Sequence, residues 1–579
     1  MKFNLLFLLL FLLNNSNAQS KYWVYLNNKN EVEFNPYEYF DIKAIERREK
    51  LNINLYDFSD LPINKNYIKK IAKFSDTITG QTRWFNALSC IITDSNLIKI
   101  KKLPFVKEVI KMKHSKQAIC NYNIRAKGEL ALLKGQIESM NGNLFINSNY
   151  NGRGIRICVI DAGFKKADTA SVFKHLRDSN RIIDTWDFHK NNSNVYKYSS
   201  HGTTVLSCIA GIYNNKNIGL ATESEYLLAR TERIYSETVS EEEDWLMAVE
   251  WADKNGTDII NSSLAYNTNA YFIEDMDGKK SLISRAANMA ARKGILVVSA
   301  AGNSGDSKWK YISTPSDADS VLTVGGINPW SGLHTSFSSY GPTSDKRMKP
   351  NISAYGHVLG YSGRDFMHET QGTSFASPLI AGFAACAWQA NIEISNMELF
   401  NELQKSSSLF PYYDYAHGYG IPNAKYFITD KKSALFSLYV EHNNHIITSA
   451  KEGITFKIIE NSDSISIVIS SDHLNISSLN SEINTISLTD LWLYSKLYSN
   501  FYHFYSETGT EINNIKYNND DNNYFYYHIE NEDNFLDSYK VLIANKKNIL
   551  DFDKENYKNK TLRFYYRGHF EEIKIKDQH

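Results

Sequence analysis

Between residues 155 and 325, apolar runs at 155–160, 226–229, 258–264, 295–300 and 321–325 alternate with helical periodicity at 244–254 and 282–293. The helical stretches stop at Gly256 and Gly294. The runs are nearly continuous in apolar character, as strands buried on both faces must be. Such strands joined by crossover helices build a mainly parallel sheet covered on both sides, a doubly wound α/β architecture. The same constraint says where to look for chemistry, because working residues in these sheets gather beyond the carboxyl ends of the strands. Asp161, Ser263 and Asn303 stand at such ends.

A second feature lies further on. Gln371-Gly372-Thr373-Ser374-Phe375-Ala376-Ser377-Pro378 opens with a glycine turn and runs into the apolar stretch 379–390. This reads as a serine delivered to the start of a buried helix, where free N–H groups suit a nucleophile that develops negative charge. Pro378 is expected in or near the first turn, where a missing N–H costs nothing. A serine there is more often a plain N-cap than a nucleophile. Likewise Asp161 alone is a turn cap, His201 alone opens a helix over 205–210, and Ala301-Gly302-Asn303 alone is a turn. Together, in the order Asp, His, Ser, they supply a base-orienting acid, a base, an oxyanion donor and a nucleophile.

That order and the motifs around it resemble the subtilisin-like serine proteases. Val159-Ile160-Asp161-Ala162-Gly163, His201-Gly202-Thr203 and Gly372-Thr373-Ser374-Phe375-Ala376-Ser377-Pro378 are similar to the three catalytic-site motifs of that family, and the likeness covers about residues 150–427. The resemblance implies a secreted serine endopeptidase working through an acyl-enzyme. Ser374 would be the nucleophile, His201 the base, Asp161 its orienting acid, and Asn303 the oxyanion donor. Ser263, Leu264, Ala265, Gly302 and Ser313 would bind substrate. Ala265 and Ser313 stand where relatives commonly have glycine, which narrows the pocket for the residue before the cut bond. No cofactor is needed for this chemistry. The loop Asn214-Asn215-Lys216-Asn217-Ile218-Gly219 is similar to one that some relatives use to bind structural calcium, but it carries an extra residue.

The rest of the chain is read around that centre. At 579 residues it exceeds one ordinary domain. Balanced charge, 64 basic against 64 acidic residues, gives no bulk attraction to nucleic acid. Residues 1–18 read as a signal peptide: Lys2, an apolar core over 5–13, and Ser16-Asn17-Ala18 as the cleavage site. No run is long enough to span a membrane as a helix. Residues 19–115 form a leader of small split βαβ type, with strands at 22–26, 87–92 and 103–110 and helices at 41–50 and 95–102. By resemblance this is a propeptide that inhibits in cis until cut between residues 114 and 125. Residues 116–430 hold the peptidase-like domain, with a connecting helix at 126–140. Residues 431–579 form a β-rich domain with polar loops, the Asn/Asp/Tyr-rich stretch 513–527 among them. The scattered cysteines Cys90, Cys120, Cys158, Cys208 and Cys386 have neither zinc nor redox spacing and read as buried thiols.

Overall fold

The chain enters through β1 (Ser20–Leu26), helices α1 (Ile42–Lys50) and α2 (Lys65–Ala72), the hairpin β2 (Thr77–Thr82) and β3 (Ala87–Ile92), helix α3 (Asp94–Lys101) and the closing strand β4 (Val106–Lys111). The antiparallel sheet order is β2-β3-β1-β4, with β3 inserted between β1 and β2 as in a split βαβ unit. Asp41 starts α1 by accepting the Lys43 N–H at 2.9 Å. The sequence reading missed α2 and β2. The β2 sequence Thr-Ile-Thr-Gly-Gln-Thr has little apolar content, and its register shifts between Ile78 and Gly80. The computed structural model describes residues 20–112, 129–232, 241–267, 271–363 and 367–429, and then 439–441, 446–449, 454–460, 464–471, 524–533, 536–543, 548–566 and 569–575. The expected signal peptide, the cleavage window at 114–125 and Cys120 lie outside these residues. The four cysteines within them are free and buried.

The central sheet is built from β5 (Arg156–Asp161), β6 (Ile182–Asp187), β7 (Glu225–Arg230), β8 (Ile259–Ser262), β9 (Leu296–Ala300), β10 (Val321–Ile327) and β11 (Ile352–Tyr355). Its order is β11-β10-β9-β8-β5-β7-β6, and every neighbouring pair is parallel. From β5 the chain first winds through β6 and β7 on one side, then through β8 to β11 on the other. The topological switch therefore falls between β5 and β8. Period-two geometry divides β5 between two cores: Ile157 and Val159 join one, Cys158 and Ile160 the other. The first core is covered by α4 (His201–Ala210) and α7 (Thr373–Ala390), the second by α5 (Glu241–Lys254) and α6 (Leu282–Arg292). The edge strands β6 and β11 escaped the sequence reading because one is half exposed and the other only four residues long. The connecting helix spans Glu129–Glu138 within the described residues.

The structure corrects the place of Pro378, which lies inside α7 beyond its first turn. A proline there cannot donate to the carbonyl four residues back. That carbonyl belongs to Ser374, and it is satisfied from outside the helix by the Ser263 hydroxyl at 2.8 Å. The helix survives its proline because the residue following β8 lends it a donor.

The leader docks on α5 and α6. Trp23, Trp84 and Ala87 join the second core. Glu250 of α5 accepts the N–H groups of Arg83 at 3.0 Å and Trp84 at 3.2 Å, together with the Thr82 hydroxyl. Asp253, one turn on, takes Arg48 at 2.7 Å and also pairs with Arg47. Both arginines and Asp253 are buried. Removing one partner of a buried ion pair strands the other charge, at a cost of about 3–5 kcal/mol. Asp253→Ala is therefore expected to weaken leader docking by roughly two orders of magnitude, with the longer contact to Asp60 at 3.6 Å left as the carboxylate partner of Arg48 among the described residues. Size-exclusion analysis of the processed protein, with leader retained or lost on dilution, checks this.

After the peptidase-like region come two antiparallel sheets. One joins Tyr439–Glu441, Ile446–Ser449, Ile454–Glu460, Ser464–Ser471 and Asn548–Asp553; the other has β12 (Tyr524–Glu530), β13 (Leu536–Ile543), β14 (Thr561–Tyr566) and β15 (His569–Lys574) in the order β13-β12-β14-β15. The tyrosine-rich end of the stretch expected to be a polar loop is strand β12. Its odd-numbered residues Phe525, Tyr527 and Ile529 fill the core between the two sheets. Its even-numbered residues turn the other way, with Tyr526 in a cluster with Leu333, Leu409 and Tyr412 of the preceding domain. Tyrosine at alternate positions suits a strand buried on both faces, with hydroxyls still able to find partners.

Candidate active site

Asp161 is the last residue of β5, and so stands at the switch point rather than one position past the strand. It is fully buried. Its Oδ1 accepts the Ala162 N–H at 2.7 Å, and its two oxygens lie 2.8 and 3.0 Å from His201 Nδ1. His201 is the first residue of α4, four positions ahead of the helix start expected from the apolar run. The glycine after it has a steric reason. A Cβ on Gly202 would fall 2.6 Å from the Gly163 carbonyl oxygen and 2.9 Å from Asp161 Cβ. Only glycine lets the first turn of α4 come this close to the end of β5. With Nδ1 facing a carboxylate, the imidazole carries its proton there and keeps a lone pair on Nε2. That nitrogen is buried and has no partner among the described residues.

Ser374 is the second residue of α7. Gly372 before it has φ +144°, a conformation that a side chain disfavours, and it sets the direction from which the helix begins. The Ser374 hydroxyl donates to the Ser263 carbonyl at 3.1 Å, while the Ser263 hydroxyl donates back to the Ser374 carbonyl. Ser374 and Ser263 are thus tied by a reciprocal pair. The ring of Phe375, next to Ser374, lies 5.4 Å from the His201 imidazole. The serine hydroxyl is bonded to Ser263 and not to His201 among the described residues.

Asn303 lies just beyond β9. Its Oδ1 accepts the Thr373 N–H at 2.8 Å and the Thr373 hydroxyl at 3.0 Å. With the oxygen so committed, the amide NH₂ is left to act as donor. The Thr373 hydroxyl also accepts the Gly302 N–H at 3.2 Å, so the turn bearing Asn303 is pinned to the start of α7. Thr373 was not singled out in the sequence, although it sits inside the motif. Asn261 was also missed. It lies in β8, donates to the Ser263 hydroxyl at 3.1 Å and accepts from Ser377 at 2.9 Å. A polar residue in the middle of a buried strand was the signal that could have found it.

The expected substrate-binding residues fall around the same point. Ser263, Leu264 and Ala265 follow β8 and are nearly buried. Tyr266, next along, pairs with Thr314 through both backbone hydrogen bonds, at 2.9 and 3.1 Å, which brings Ser313 alongside. The Ser313 hydroxyl accepts from Asn267 at 3.2 Å and lies 3.3 Å from where a Cβ on Gly302 would stand. The Tyr266 hydroxyl donates to the buried Glu232, whose carboxyl is pushed well above the usual range by burial and then by Glu241. The loop considered for calcium is a tight hairpin, Ile212–Tyr213 against Lys216–Asn217, with Asn214 and Asn215 both at positive φ. Among the described residues no group of three or more His, Cys, Asp and Glu is placed to hold a metal ion.

A parallel α/β sheet with an Asp–His pair at its switch point and a helix-start serine beside it defines one class of protein, and comparison with known sequences names the family. Residues 152–421 match the model of the Subtilase family, and residues 21–127 match that of the Peptidase S8 propeptide domain of Bacteroidota. The chain belongs to the subtilase family. It is similar to subtilisin NAT of Bacillus subtilis subsp. natto, 27% identical over 265 residues, covering 45% of this chain and 62% of that protein. Subtilisin DY of Bacillus licheniformis is 28% identical over 266 residues, covering 45% of this chain and 85% of that protein. A thermophilic serine proteinase of Bacillus sp. (strain AK1) is 31% identical over 235 residues, covering 40% and 51%. The chain thus spans under two thirds of the length of the first of these relatives.

Proposed function

We propose that this chain is an exported serine endopeptidase, made as a zymogen whose leader, residues 19–115, blocks it in cis until cut. The observation that carries the reading is His201, with Nδ1 held by buried Asp161 and Nε2 open, next to the helix-start residues Ser374 and Phe375. In the reaction, Ser374 Oγ adds to the peptide carbonyl carbon while its proton passes to His201 Nε2. The C–N bond then breaks, and that proton goes to the leaving amine. Water gives a proton to the same nitrogen as it attacks the ester, and collapse of the second tetrahedral adduct returns the proton to Ser374. Asp161 keeps the imidazole in the required tautomer and stabilises the imidazolium. The Asn303 amide and the Ser374 N–H take the oxyanion in both halves, donors worth most in a site that excludes water. The segment 263–265 would pair with an extended substrate as an added strand. Ala265 and Ser313 favour small or medium side chains before the cut bond. One relative is named a serine proteinase, which supports the activity, and the propeptide match supports the zymogen part.

Treatment with a fluorophosphonate tests this. One equivalent should attach to the peptide containing Ser374, and hydrolysis of an alanyl chromogenic peptide should fall in proportion. Label on another residue, or hydrolysis that survives full labelling, would show that Ser374 is not the nucleophile.

A further inference from the structure

The subtilase match ends at residue 421, yet a side chain from beyond it, Tyr539, packs on the loop that supports the turn bearing Asn303. The turn 302–304 is supported by the loop 334–340. Ser339 donates its N–H to the Gly302 carbonyl at 2.9 Å, its hydroxyl accepts the Ser304 N–H at 3.1 Å, and the Phe337 carbonyl accepts the Gly305 N–H at 2.8 Å. A Cβ on Gly302 would stand 2.8 Å from the Ser339 hydroxyl, so the two segments have no slack between them. Movement of this loop is movement of Asn303.

The loop is held in turn by aromatic and imidazole groups. His334 stacks on Tyr340 with ring centroids 4.3 Å apart, and its backbone N–H donates to His417 Nε2 at 3.0 Å. His417 Nδ1 is fixed by Asp414, 2.9 and 3.0 Å away. The C-terminal sheet packs on this layer: Tyr526 and Tyr539 lie 5.7 and 6.2 Å from His417, and Tyr539 lies 6.3 Å from Tyr340. The sheet is anchored by ties of its own. The Tyr565 hydroxyl donates to the Ser408 carbonyl at 2.6 Å, and Arg563 reaches the Tyr413 hydroxyl at 2.9 Å. Tyr412, wholly buried, is enclosed between the two domains.

We propose that the C-terminal sheet is a working part of the catalytic unit: Tyr539 and Tyr526, packed on Tyr340 and His417, are positioning residues that hold the 334–340 loop and through it the oxyanion donor Asn303. The catalytic consequence rests on the serine-protease reading, but the mechanical coupling does not. A loosened oxyanion turn lowers transition-state stabilisation more than substrate binding, and small misplacements of such donors cost rate steeply. The effect should therefore appear in kcat and leave KM nearly untouched. A sheet that merely added stability would change neither at temperatures well below unfolding.

The test uses the full chain with Tyr539→Leu, which keeps bulk but loses the ring, and Tyr539→Phe, which keeps the ring. Turnover of a chromogenic peptide is measured alongside amide hydrogen exchange in fragments covering residues 300–306. For Y539L we expect kcat to fall about fivefold to tenfold with KM within about twofold, and exchange over 300–306 to speed up. Y539F should restore most of both. A folded Y539L with wild-type kcat and wild-type exchange overturns the proposal, as does a loss confined to KM. If Y539L does not fold, Tyr526→Leu, which removes the other ring packed on His417, decides: faster exchange over 300–306 supports the coupling, and wild-type exchange overturns it. If the wild type shows no turnover, the protease reading fails, and the exchange measurement still judges the coupling.

Discussion

Ser374→Ala is expected to leave the leader attached to a folded protein and to reduce peptide hydrolysis by about a millionfold. The substitution removes a single hydroxyl whose hydrogen bond goes to the Ser263 carbonyl. The helix it belongs to is held by other contacts: Ser263 to the Ser374 carbonyl, Thr373 to Asn303, and Ser377 to Asn261. The fold should therefore persist. Leader docking should persist as well, since Glu250 and Asp253 grip it from α5 and not from the active site. Intact mass and N-terminal sequencing of wild type and variant, expressed identically, give the readout. Wild type trimmed and variant untrimmed means that Ser374 cuts its own leader free. Equal trimming of both means that another protease does the processing, and neither being trimmed removes the zymogen reading.

The parallel sheet and its site were legible because their constraints are local. A strand buried on both faces must be apolar throughout, and β5, β7, β8, β9 and β10 all announced themselves in that way. Asp161, His201, Asn303 and Ser374 could be singled out as candidates by where they stand relative to those strands and to a glycine-opened helix. What stayed hidden depends on partners distant in the chain. Pro378 is tolerated inside α7 only because Ser263 satisfies the freed carbonyl, and no reading of residues 371–390 alone can show that. Strand β12 looked like a polar loop because its burial is shared between two domains, the odd side chains facing one and the even ones the other. Arg47 and Arg48 could be placed on a helix but not buried from sequence, because their carboxylate, Asp253, lies over two hundred residues away. Charge buried at an interface carries no signature until both sides are placed.

Asp161→Asn should cost about ten-thousandfold in kcat while leaving the fold and substrate affinity close to those of wild type. The side chains are nearly identical in shape, and Asp161 is buried in a setting that supplies one fixed donor, the Ala162 N–H at 2.7 Å. An asparagine there will turn its oxygen to that N–H, because the opposite flip would set two donors against each other at short range. Its NH₂ group then faces His201 Nδ1, where wild type has a carboxylate oxygen at 3.0 Å. A donor at that place disfavours a proton on Nδ1 and favours the tautomer protonated on Nε2, in which the nitrogen that must take the Ser374 proton no longer has a lone pair. The loss is one of tautomer and not of structure. A crystal structure or a melting curve indistinguishable from wild type, together with the fall in kcat, is the expected pair of results. A fall of less than tenfold would mean that Asp161 serves mainly to cap the end of β5, and that His201 finds its tautomer without it.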